Sequence, residues 1–205
     1  MPSEDTRPPA ASPPGEQPAR LPTWPTWDPL VRLLHWSLVG AVACAWLATL
    51  RLGIGSWHEP AGYVAIAAVS TRLAWGWLAR TGGRAHHARF AQFVRGPGTV
   101  ARYTHELLAH RERRYLGHNP LGGWMVVLLL GWVGAIGTTG WLQTTDAYWG
   151  SEPLEQVHTL LAWSLLGLIA LHIAGVVFTS LRHRENLVKA MWTGRKIPPS
   201  GDDVA

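Results

Sequence analysis

Four histidines stand in or at the edge of stretches too apolar to need them: His35 in "WDPLVRLLHW", His58 in "GSWHEP", and His158 and His172 in "EQVHTLLAWSLLGLIALHIAG". Imidazole can enter such surroundings uncharged and still offer a lone pair to a metal. An ionisable residue inside a membrane is by default a functional one. A helix turns about 100° and rises about 1.5 Å per residue, so the 14 residues from His158 to His172 bring the second ring within about 40° of the first, about 21 Å further along. Counted inward from Arg51 and Glu155, His35 and His172 both lie about 25 Å deep, whereas His58 and His158 lie within about one turn of the surface. The four sort into two levels, each with one ring from the last span and one from another span.

Two imidazoles facing each other on bundle helices suit the two axial positions of a haem iron. With both positions filled, no open site remains for oxygen or substrate chemistry, and such a protein moves electrons. Cys44 is the only cysteine, which excludes covalent C-x-x-C-H haem attachment, iron-sulfur clusters, zinc ribbons and disulfides, since each needs at least two. The haem would therefore be b-type, held by coordination and packing. Arg72 lies about 20 Å inward from Glu59, near the level of His35 and His172. A buried arginine needs a partner, which haem propionates would supply; the plainer alternative is snorkelling to headgroups.

The elements that must position these groups are membrane helices. Only 15% of the 205 residues are charged, against about 25% in an ordinary soluble domain. Four apolar spans, Leu33 to Leu50, Pro60 to Ala79, Leu121 to Leu142 and Val157 to Leu181, each approach the ~20 residues a helix needs to cross a bilayer. Helices are the form expected, because an unclosed strand leaves backbone groups unpaired in lipid. The fold class expected is all-α, a four-helix transmembrane bundle with bis-His haem sites.

Charge orients it. The connection from Arg80 to Pro120 carries eight arginines against Glu106 and Glu112, and Arg182, Arg184, Lys189, Arg195 and Lys196 follow the last span. The connection after the third span, "QTTDAYWGSEPLEQ", has three acids and no Lys or Arg. By the positive-inside rule both termini and the Arg-rich connection are cytoplasmic. The same distribution accounts for the net charge of +5 without nucleic acid. Residues 1–29 read as a disordered Pro-rich cytoplasmic tail, 30–196 as the membrane domain and 197–205 as a C-terminal tail. "TVARYTHELLAHRERRYLG" reads as an amphipathic helix on the inner membrane surface. Histidines 86, 87, 105, 110, 118 and 183 lie in the Arg-rich segments and read as solvated. Gly131, Gly134, Gly137 and Gly140 recur along the third span, where small residues would admit either a flat macrocycle or a neighbouring helix.

The stretches "WDPLVRLLHW", "HEPAGYV", "STRLAWGWL", "RYLGHNPLGGWMVVLLL", "EQVHTLLAWSLLGLIALHIAG" and "RHRENLVKAMWTGRK" together resemble the prokaryotic cytochrome b561 family, which includes the b-type cytochrome subunits of nickel-iron hydrogenases. The resemblance spans about Trp24 to Lys196. It implies two haems b, one between His35 and His172 on the cytoplasmic side and one between His58 and His158 on the outer side. It also implies a bacterial inner-membrane electron-transfer subunit, rather than a stand-alone enzyme, working between quinone and a partner redox protein. That partner would be a periplasmic c-type cytochrome or a hydrogenase-type subunit; lipid is the surrounding medium and self-association stays open. In related subunits a quinone site lies near the cytoplasmic-side haem, which directs attention to His35, Arg72 and His172. Thr159 departs from the glutamate that often follows the first histidine of the last span. Two alternatives remain at this level: a histidine-based membrane metal transporter, which the absence of deep Asp or Glu disfavours, and a superoxide:quinone oxidoreductase.

Overall fold

The structure, a computed structural model, describes residues 23–50, 53–79, 88–201 and 203–204. Residues 1–22 of the Pro-rich stretch, Arg51, Arg80, Arg84, His86 and His87 lie outside the described residues.

Four long helices make the body: α1 (Pro29–Thr49), α2 (His58–Leu78), α5 (Pro120–Gln143) and α6 (Glu152–Arg182). Short pieces α3 (Phe90–Phe93) and α4 (Pro97–Leu108) lie between α2 and α5, and α7 (Leu187–Thr193) follows α6. Their starts are written locally. Asp28 Oδ1 accepts from the amides of Leu30 (2.8 Å) and Val31 (3.1 Å) ahead of Pro29, and Asn119 Oδ1 accepts from Gly122 (2.7 Å) ahead of Pro120. In each case a capping side chain satisfies amides the helix cannot, and proline takes a position where its missing N–H costs nothing.

Among the described residues, α1, α5 and α6 are long and apolar enough to cross a membrane. The second span read from sequence is a full helix of 21 residues, but Glu59, Arg72 and a series of short side chains dilute its apolar character. Packing explains this. α2 buries Ala61, Ala65, Ala68, Val69, Arg72 and Gly76, while Leu165 is the one residue α6 buries within the chain. α2 runs against both α1 and α5 and α6 against α5, so α2 needs small residues for close approach rather than bulk for lipid. A core of Ala41, Ala65, Val69, Leu130, Val133 and Leu165 draws on all four helices. The opposite faces stay apolar and uncovered, with Leu160, Trp163, Leu171 and Leu181 exposed on α6, as suits a lipid solvent.

The Arg-rich end is closed by the segments flanking the bundle. Strands β1 (Trp24–Pro25) and β2 (Arg195–Lys196) pair antiparallel, tying the chain before α1 to the chain after α7. Gly194, left-handed at φ 78°, ends α7 and offers its carbonyl to the amides of Thr26 (3.0 Å) and Trp27 (3.2 Å). A β-carbon there would also stand 2.8 Å from Arg32 Nη1. Arg32 itself donates to the carbonyls of Met191 (3.1 Å) and Trp192, and Trp36 meets the Trp192 ring edge-on at 5.3 Å. Beyond β2 the chain is drawn into a buried ionic group: Arg114 binds Glu185 (3.1 Å) and Asp203 (2.7 Å), and Lys196 lies 3.8 Å from Glu185. The amphipathic stretch forms α4, which ends at Leu108 because His110 turns left-handed at φ 57°, so "RERRYLG" is not helical.

Candidate functional site

His58 is the first residue of α2 and His158 lies two turns into α6. The bundle brings them together at the end carrying the acidic connection: their ring centroids are 6.1 Å apart and the planes cross at 70°. They line a cavity of about 820 Å³ bounded by all four long helices, walled by Ala41, Ala45, Gly62, Ile66 and Gly137. Trp46 of α1 and Trp163 of α6 stack edge to face across the wall at 5.0 Å.

Both rings are held by their Nδ1 atoms. His58 Nδ1 is 2.9 Å from the Ala45 carbonyl, to which it can only donate, so its Nε2 carries the free lone pair. His158 Nδ1 is 2.9 Å from Thr139 Oγ1 on α5. A ligating histidine typically donates its second nitrogen to an acceptor in this way, which fixes tautomer and orientation. Neither Ala45 nor Thr139 was visible as a partner in sequence. For Thr139 the available signal was a hydroxyl in an apolar span beside Gly140, whose hypothetical β-carbon would stand 3.1 Å from His158 Cε1.

The other two histidines lie toward the Arg-rich end. His35, half-buried on α1, presents its ring edge-on to Trp36 at 5.1 Å, and its buried Nδ1 has no partner. His172 is half-buried on α6. Arg72 is 5% exposed, which rules against snorkelling to water. Its guanidinium lies over Phe90 at 5.0 Å and 5.8 Å from the Phe93 centroid, while Nη1 is buried without an acceptor among the described residues. Phe90 and Phe93 come from α3, and no periodicity in the sequence marked them as the cover of Arg72. The glycines of α5 divide: Gly137 admits Ile66 of α2, Gly140 admits the His158 ring, and Gly131 has open space around it.

Outside the spans, Lys196 is buried beside Trp27, its Nζ 5.5 Å from the ring, and burial lowers its pKa to about 8 despite the opposing pull of Glu185. Burial likewise raises the Tyr103 phenol to about 12. Among the described residues no three His, Cys, Asp or Glu side chains gather into a metal cage.

Membrane-length helices packed around a close pair of imidazoles define a helical membrane bundle with a histidine-lined cavity. The chain belongs to the prokaryotic cytochrome b561 family, whose profile matches residues 26–194. It is accordingly a multi-pass membrane protein of the b-type cytochrome class, binding haem b for electron transfer. No curated protein and no solved structure matches the chain significantly.

The residues fit such a group at the acidic end. A metal–imidazole bond of about 2 Å on each side of one iron, with each ring centre roughly 1 Å behind its nitrogen, asks for centroids about 6 Å apart. The observed separation is 6.1 Å, with a cavity alongside.

Proposed function

We propose that this chain carries two haems b through the bacterial inner membrane and passes electrons between the quinone pool and a partner redox protein. His58 and His158 would hold one haem, and His35 and His172 the other. The observation that carries the reading is the opposed His58–His158 pair, 6.1 Å between centroids with each Nδ1 engaged by a backbone carbonyl or a hydroxyl. Bis-imidazole haem b supplies a one-electron Fe(III)/Fe(II) couple with no open coordination position.

The chain's own contribution is positional. α1 and α5 hold the His58 and His158 rings by Nδ1 through the Ala45 carbonyl and the Thr139 hydroxyl, which would keep both rings in place toward the group. Ala41, Ala45, Ile66 and Val133 supply mostly apolar walls on the bundle side, which would lower the polarity around the group there. Arg72, with a buried donor lacking an acceptor, suits a propionate of the haem between His35 and His172. α2 would be the fourth span, its low lipid-facing bulk offset by burial between α1 and α5. The Arg-rich closure around β1, β2 and α7 would lie in the cytoplasm by the positive-inside rule, leaving the His58–His158 level near the periplasmic surface for a c-type cytochrome or hydrogenase-type partner. Quinone would exchange near His35, Arg72 and His172.

The test is a reduced-minus-oxidised absorbance spectrum of the detergent-purified chain with haem quantitation. Two low-spin six-coordinate haems per chain are expected. Colourless protein, or a single haem, overturns the reading.

A further inference from the structure

Thr139 Oγ1 lies 2.9 Å from the carbonyl of Ile136 on its own helix and 2.9 Å from His158 Nδ1 on the next. A hydroxyl has one hydrogen and must choose. Given to the ring, that hydrogen would leave two lone-pair oxygens facing each other across 2.9 Å at Ile136. Given to Ile136, a common back-bonding arrangement for a helical threonine, it lets Oγ1 accept from Nδ1–H and satisfies all three groups. His158 is thereby fixed with Nδ1 protonated and Nε2 free.

The two ring anchors at this level differ in kind. His58 leans on the Ala45 carbonyl at 2.9 Å, an acceptor no side-chain change removes. His158 leans on the Thr139 hydroxyl at 2.9 Å, whose own hydrogen is committed to the Ile136 carbonyl, and that carbonyl also lies close to the ring. Thr138, the preceding residue, donates its hydroxyl to the Gly134 carbonyl (2.8 Å).

We infer that Thr139 is a positioning residue that sets the reduction potential of the haem held by His58 and His158. By accepting Nδ1–H it holds the ring's orientation and increases electron donation from Nε2, which favours the ferric state and lowers the potential. This inference rests on the di-haem reading above.

The experiment is a potentiometric titration of the full-length chain in detergent, with His58→Ala used to identify the component belonging to this level. Thr139→Val should keep both haems and shift that component upward by about tenfold in its reduction equilibrium, about 59 mV for one electron. Thr139→Ser should restore the wild-type value, and Thr138→Val should leave it unmoved. Loss of this haem in Thr139→Val with full retention in Thr139→Ser would also support the positioning role. An unmoved potential in Thr139→Val, an equal shift in Thr138→Val, or loss of the haem in both Thr139 variants would overturn it. If His58→Ala removes no haem, the di-haem reading fails instead, whatever Thr139 does.

Discussion

Gly140 approaches His158 so closely that a β-carbon on it would stand 3.1 Å from the ring's Cε1 and 3.6 Å from Nδ1. The ring is already fixed on that side by Thr139, so it can yield only by a few tenths of an ångström or by giving up its hydrogen bond. Gly140→Ala should therefore weaken haem retention at this level, roughly tenfold in affinity, while leaving the fold intact. Gly137→Ala acts differently, because its β-carbon would collide with the branched Ile66 side chain between α5 and α2. Overpacking of that kind costs about 1–3 kcal/mol. Haem-to-protein ratios and thermal melts separate the two: one variant loses pigment at normal stability, the other loses stability with both haems affected together.

The 6.1 Å pairing makes His58 and His158 equivalent partners. His58→Ala and His158→Ala should each remove the same single haem, about half the pigment, and leave the same residual spectrum. His172→Ala should remove the complementary half. Pyridine haemochrome quantitation checks this, and variants at His58 and His158 with different residual spectra would contradict a shared site.

How far the sequence carried this arrangement depended on what each feature leaves in the chain. The histidines were legible because a polar residue in a lipid span is rare and helix geometry converts spacing into depth; the same count placed His158 beside His58. The span boundaries followed from apolar length, with α1 starting four residues earlier than Leu33 because Asp28 and Pro29 form a cap. Arg72 read as a buried arginine from its depth, but its cover was not legible, since Phe90 and Phe93 come from a four-residue helix in a connection whose composition announces only charge. Nor was the closure of the Arg-rich end. Arg114, Glu185, Lys196 and Asp203 are far apart in sequence, and isolated charges there look like any solvated face until β1 and β2 pair. Arg32 and Trp36, flanking His35, turn out to grip the end of α7.

Arg72 offers a sharp electrostatic test. A buried positive charge near a haem favours the electron-rich state, so Arg72→Leu should lower the midpoint potential of the haem at His35 and His172 and leave the other unchanged. Arg72→Lys retains the charge but loses the planar stack on Phe90 at 5.0 Å, and should fall between the two. Potentiometry of the three proteins settles the order. A potential identical in wild type and Arg72→Leu would mean that the guanidinium serves only to pack against Phe90 and Phe93.

Arg114 holds two buried carboxylates at once, Glu185 at 3.1 Å and Asp203 at 2.7 Å, and also donates to the Ile197 carbonyl at 2.9 Å. Arg114→Met leaves Asp203 with the Ser200 amide (2.8 Å) and Glu185 with the Ile197 amide (2.9 Å) and Lys196 (3.8 Å), so the cost falls below the about 3–5 kcal/mol of a buried charge left wholly unpaired. The expected result is a lower melting temperature and early proteolysis after α7, with the haem spectrum retained in the intact fraction. Unchanged protease resistance would show that pairing of β1 with β2 suffices to hold the C-terminal segment.

Lys196 gives the closure a pH dependence whose sign follows from burial. Its folded pKa is lowered from 10.5 to about 8, with desolvation outweighing attraction from Glu185. Between those values the unfolded chain binds a proton that the folded chain has released, so stability rises with pH across that window. Below about pH 8 both states are protonated and the full cost of burying the ammonium is present; above about 10.5 both are neutral and the cost is gone. Lys196→Met removes the titrating group while Glu185 keeps Arg114 and the Ile197 amide, 3.1 Å and 2.9 Å away. Thermal melts from pH 7 to 10 should rise with pH in the wild type relative to Lys196→Met, most steeply above pH 8, with a limiting difference of about 1.4 kcal/mol per pH unit. Parallel curves for the two proteins would show that the ammonium reaches water and that the ionic group does not close the Arg-rich end.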